Sequence, residues 1–157
     1  MTPELYFLRY SFPCASTRLQ LKKITQEMYD KVEDCAMNGK QLERKVLEET
    51  FPEAIERLRR LAKEMHKEYW SIEVIRQYFL KGGHNDVINR GEGVYATYPE
   101  TMKEFCRVHI GKVIDKKEQV LKVEYNGKER IVFRTFVPDA KVGDRVTIHY
   151  GFAVEKV

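Results

Sequence analysis

The apolar residues of this 157-residue chain change their period once, at Cys106. Beyond it the pattern alternates. Residues 107–115, 119–125 and 128–136 are rich in Val, Ile, Tyr and Phe, and the last two flank Asn126-Gly127, a strong signal for a two-residue type I′ hairpin. Val137-Pro138-Asp139 breaks the run, and Arg145–His149 and Phe152–Glu155 supply two more short strands around Gly151. Five short strands in so few residues bury little unless the sheet closes on itself. The expected architecture is therefore a small five-stranded barrel.

Residues 1–105 read as helices. Thr2-Pro3 pairs an N-cap with Pro at the first helical position, and Ser11 ahead of Pro13 repeats the device. Thr25 starts a helix with Met28, Val32, Cys35 and Ala36 on its apolar face, ended by Asn38-Gly39. Thr50 with Glu53 has the spacing of a capping box, followed by Ile55, Leu58, Ala62 and Met65 on one face. Ser71 caps a segment carrying Ile72, Ile75 and Phe79 that stops at Gly82-Gly83. GGHNDVINRGEG, residues 82–93, has four glycines in twelve positions and reads as a loop. Pro99 opens one more short polar segment. The expected fold is α+β, with a helical domain (1–105) of unknown function packed on a C-terminal barrel (106–157).

Three cysteines, Cys14, Cys35 and Cys106, with no CxxC pair, point away from a disulfide scaffold and toward a cytoplasmic protein. No apolar run approaches the roughly 20 residues of a membrane span, and the first residues lack a signal-peptide pattern. Of the net charge of +4, residues 1–105 contribute nothing, with 17 basic and 17 acidic side chains. Residues 106–157 carry 11 basic against 7 acidic. That bias is mild for a nucleic-acid binder. Abundant Lys, Arg and Glu against five Gln and four Asn is a skew seen in thermophile proteins.

Two stretches carry a resemblance. CRVHIGKV (106–113) is similar to the opening of the HypC/HupF hydrogenase-maturation chaperones, a cysteine ahead of Gly-Lys-Val. VPDAKVGDRVTIHYGFA (137–153) is similar to the closing signature of the same family. The resemblance covers residues 106–157. It implies an OB-like barrel acting with a protein partner in assembling the iron–cyanide–carbonyl group of nickel–iron hydrogenases. The family's functional cysteine and late histidine map onto Cys106 and His149. Here the cysteine lies between Phe105 and Arg107 instead of following the initiator Met, and Ile110 replaces the proline that usually precedes the glycine. FPCA, YWSIEVIRQYF and GHNDVINRGEG resemble an uncharacterised archaeal protein family.

Four constellations are candidates for chemistry. Cys106 and His149 offer a thiolate and an imidazole that suit iron or zinc, with His109 a weaker third because three residues along a strand reverses the face. The competing reading is a half-buried Cys and a His bonded to backbone. Cys14 in a first helical turn, with His84 as base, would make a nucleophile–base pair. A cysteine packing as a small hydrophobe is its counterpart, and Cys35 on an apolar face is core. His84, Asn85, Asp86, Asn89, Arg90 and Glu92 form a ligand-binding loop or serve turns. Lys112, Lys116, Lys117, Lys122, Lys128, Arg130 and Arg134 with Tyr125, Phe133 and Phe136 would suit single-stranded nucleic acid, against a solvated face over an aromatic core. The reading drawn from these is a non-catalytic accessory or adaptor protein with a protein partner, in one version a metal carrier. RNA or single-strand binding and a thiol-dependent enzyme are the alternatives, and no membrane partner is expected.

Overall fold

Side-chain caps start three of the six N-terminal helices in the computed structural model, which describes residues 1–157. The first unit, Met1–Gly83, holds α1 (Pro3–Ser11), α2 (Ala15–Gln20), α3 (Gln26–Met37), α4 (Arg44–Thr50), α5 (Pro52–Met65) and α6 (Ile72–Leu80). The side chains of Thr2, Thr25 and Ser71 accept from the amides of Leu5, Met28 and Val74, satisfying donors that each first turn leaves open. Gly39, at φ +62°, takes the left-handed turn that ends α3.

Two expected caps differ. The Ser11 hydroxyl donates back to the Phe7 carbonyl at 2.7 Å, because α1 runs into a 3₁₀ turn, Phe12–Cys14, without breaking. Thr50 lies at the end of α4, where its hydroxyl donates to the Val46 carbonyl at 2.7 Å, so no capping box forms and α5 starts at Pro52 without a side-chain cap. Helix α4 itself is too short to show a period; only Leu47 and Thr50 are buried in it.

Apolar stripes at helical spacing meet in an aromatic core. Phe7 packs edge-on to Phe51 and Trp70, at centroid distances of 5.9 and 5.4 Å, and Tyr10 stacks on Phe79 at 4.9 Å. Ile55, Leu58 and Ala62 of α5 and Val74 and Ile75 of α6 complete it, and Cys35 is buried as expected. The Trp70 indole donates to Glu48 at 3.0 Å, as a buried ring N–H requires.

The second unit, His84–Val157, contains α7 (which begins at Gly83 and ends at Asn89), α8 (Glu100–Cys106) and the strands β1 (His109–Lys117), β2 (Val120–Tyr125), β3 (Lys128–Phe133), β4 (Arg145–His149) and β5 (Phe152–Lys156). The strands close in the order β1-β2-β3-β5-β4, antiparallel except where β3 meets β5. That is the closed five-stranded barrel expected, of the OB type. Asn126 and Gly127, at φ +48° and +72°, make the type I′ turn. Val113, Leu121, Val123, Val132, Val146, Ile148 and Ala153 fill the interior.

The segment 82–93 does not run as a loop: residues 83–89 form α7, and positive φ is confined to Gly82, Gly91 and Gly93 on either side of it. Val87 and Ile88 supply its buried side. Residues 84–105 group with the barrel, so the division falls at 83/84, whereas the change of period lies at 105/106. Hydrogen bonds explain the difference. Asn85 binds Val108, the Phe105 carbonyl accepts from Tyr150, and the Glu104 carbonyl accepts from Arg130. No helix is long and apolar enough to cross a membrane.

Candidate functional site

Strand β4 is buried on both faces. Val146 and Ile148 point into the barrel, so Thr147 and His149 lie on its outer side, and all four are inaccessible. A histidine with no exposure is costly unless its nitrogens are matched. The ring of His149 meets the ring of His84 edge to face, 5.0 Å between centroids and 79° between planes. The ligand nitrogens of the two lie within 4.8 Å of each other. His84 is itself buried.

The Asn85 side chain orients one ring nitrogen of His84. Asn85 Nδ2 donates to the Val108 carbonyl and its Oδ1 accepts the Val108 amide, both at 2.8 Å. The amide group thus mimics a strand partner for the residue just ahead of β1. This pairing orients Asn85 without ambiguity: the atom 3.2 Å from His84 Nδ1 is the oxygen. Nδ1 must then carry the proton, and the lone pair belongs to Nε2.

Cys106 is the last residue of α8, not the first of a strand, so strand parity does not govern it. Its Sγ lies 3.0 Å from the Tyr150 hydroxyl. Burial pushes its thiol up from the ordinary value, against the smaller opposing effects of Tyr150 and Arg107. The group is therefore a protonated thiol at neutral pH, a weak nucleophile and a reluctant ligand. Tyr150 reaches it from a left-handed backbone (φ +51°) in the β4–β5 turn.

His109 does not join His149. It pairs with Ile148 across β1 and β4, which puts it on the barrel's inner face. There its ring lies 4.7 Å from the ring of Tyr125, and Nε2 is 2.8 Å from a Glu104 oxygen. That approach is close but poorly aligned for a hydrogen bond, since Nε2 has no bonded partner by angle. Arg130, also buried, sits between Phe105 and Tyr125 at 4.7 and 4.9 Å from their centroids. It donates to the Tyr125 hydroxyl at 2.7 Å and to the Tyr150 and Glu104 carbonyls. These groups plug one end of the barrel. The sequence placed Arg130 on a charged face and left Tyr125 either stacking on bases or in an aromatic core; both are buried, because strand register puts their face of the alternation inside.

The remaining candidate residues of 84–93 do not gather at His84 and His149. Asn89 Oδ1 accepts from Arg107 Nε at 2.8 Å, Arg90 pairs with Glu92 at 3.2 Å, and Asp86 is exposed. Cys14 lies in the first unit at the end of the 3₁₀ turn, inside a helical path running from α1 to α2. It holds the N-cap position of α2 with helical backbone angles and no side-chain cap bond. Of the aromatic groups proposed for stacking on bases, Tyr125 and Phe136 are buried and Phe133 is half-exposed. Lys116 Nζ is turned onto the Ala140 carbonyl.

Residues 108–157 match the model of the HupF/HypC family. The match spans all five strands and includes His149. It begins at Val108, two residues beyond Cys106 and at the residue that Asn85 clamps. No curated protein matches the chain.

Proposed function

We propose that this chain is an accessory protein of metallocentre assembly, acting through a protein partner as HypC-type chaperones do. The observation that carries the reading is the coincidence of the family match with the complete barrel, His149 included. His149 is the residue on the chain's side that meets the metal cargo. The imidazole suits iron(II), nickel(II) or zinc(II), and its burial keeps competing water away.

A partner needs an apolar patch. On the outer side of β3, Ile131 and Phe133 are 56% and 50% exposed, two positions apart and therefore on the same face. A partner with an apolar contact residue would meet the chain at this pair. Val142 and Ile110 are exposed as well. Loss of this gene from its source organism should lower active nickel–iron hydrogenase while synthesis of the large subunit continues. Full hydrogenase activity in the deletion strain overturns the proposal.

A further inference from the structure

We infer that His84 and His149 form a two-imidazole site for a borderline divalent cation, in which His84 takes the place that the family resemblance assigned to Cys106. This deepens the accessory reading and rests on it for the identity of the cargo, but not for the ability to bind a cation.

Three observations converge. The two imidazoles are both buried and meet edge to face, with ligand nitrogens within 4.8 Å. Two nitrogens on one tetrahedral ion, each about 2.0–2.1 Å from the metal, lie about 3.4 Å apart. Rotation of the rings on their side-chain bonds covers the difference.

The second observation is the tautomer. Val108 orients Asn85, Asn85 Oδ1 accepts a hydrogen bond from His84 Nδ1, and in the neutral ring Nε2 is the nitrogen that carries the electron pair. Metal-ligating histidines are commonly oriented in this way, by an oxygen on the other ring nitrogen. The third is the placing of Cys106, buried at the end of α8 with its sulfur engaged by the Tyr150 hydroxyl 3.0 Å away. A thiol must lose its proton to ligate, whereas a neutral imidazole need not. Between the two candidate donors the chemistry therefore favours His84. Nitrogen donors of this kind select zinc(II), iron(II), cobalt(II) and nickel(II) over magnesium or calcium.

The test uses the full-length chain and cobalt(II) as the probe, followed by its visible absorption and by proton resonances of metal-bound imidazoles, with zinc(II) calorimetry beside it. The expected result is one equivalent bound and two shifted, exchangeable imidazole N–H resonances. His84→Gln should remove one resonance and weaken binding at least tenfold, while Cys106→Ser leaves both unchanged. His149 is wholly buried, so its substitution also perturbs the barrel. The decision therefore rests on His84→Gln, with circular dichroism to establish that this variant is folded. A wild-type chain that takes up no cobalt, or a folded His84→Gln that binds as tightly as wild type, overturns the inference. Loss of binding in Cys106→Ser alone also overturns it, returning the ion to the thiol. The accessory role is tested separately, since it fails if hydrogenase matures normally in the deletion strain, whatever the cobalt titration shows.

Discussion

His109 shows how one residue couples the barrel to pH. Burial lowers its pKa below the ordinary 6.5, and nearby Arg130 adds to that, while Glu104 pulls the other way. The folded chain therefore binds this proton more weakly than the unfolded chain does. The contribution is whole above about pH 6.5 and is lost as the pH falls from there toward the folded value. Thermal melts between pH 8 and 5 should show a falling midpoint that flattens in His109→Gln; equal slopes in the two proteins would remove His109 as the cause. Gly111, the glycine of the Gly-Lys-Val triplet, has a steric reason to be there. A Cβ at this position would run into the Val123 side chain and come 2.7 Å from the Glu124 carbonyl oxygen. Backbone cannot retreat from that contact without breaking the β1–β2 ladder. Gly111→Ala should cost about 3 kcal/mol or more, as severe overpacking does, and urea unfolding measures it.

Among the elements, α7 departs most from its sequence reading. Its glycines and polar residues suggest a loop, and they are compatible with one at residues 91–93. Only the contact with β1 reveals that Asn85 serves as a strand partner. Asn85→Ala leaves the Val108 amide and carbonyl without their partner, at about 1–3 kcal/mol for the unsatisfied groups. Hydrogen exchange at the Val108 amide should accelerate in that variant and stay slow at amides in the middle of β2; uniform acceleration would mean global destabilisation instead. The caps obey simpler rules. Thr25→Ala removes the acceptor for Met28 and should cost about 1 kcal/mol.

At the scale of the molecule, each of the two units has a core of its own. A fragment of residues 84–157 should fold with the barrel's amide dispersion, whereas residues 108–157 should not, because they lack Asn85, the α8 carbonyls that Arg130 and Tyr150 use, and Phe105. Two-dimensional NMR of both fragments decides it. The half-exposed Ile131 and Phe133 make the complementary prediction for partner binding. Ile131→Lys should weaken association with a maturation partner while leaving stability within about 0.5 kcal/mol, as surface substitutions usually do.

The barrel was legible in the sequence because alternation, a type I′ turn at Asn126-Gly127 and short strands are local signals, each carried by neighbouring residues. The caps at Thr2, Thr25 and Ser71 were legible for the same reason, since a cap spans three positions. Thr50 and Ser11 misled because a hydroxyl can bond backward to the preceding turn as readily as forward, and only the surrounding chain selects the direction. The positions of the candidate groups were not legible. Cys106 and His149 could be named from motifs, but strand register decided that His109 faces Tyr125 inside the barrel while His149 turns outward. The pairing of His84 with His149 joins residues 65 positions apart and leaves no mark in either neighbourhood. Local propensity is a property of the chain; a shared face, a buried thiol and a defined tautomer exist only once distant segments pack.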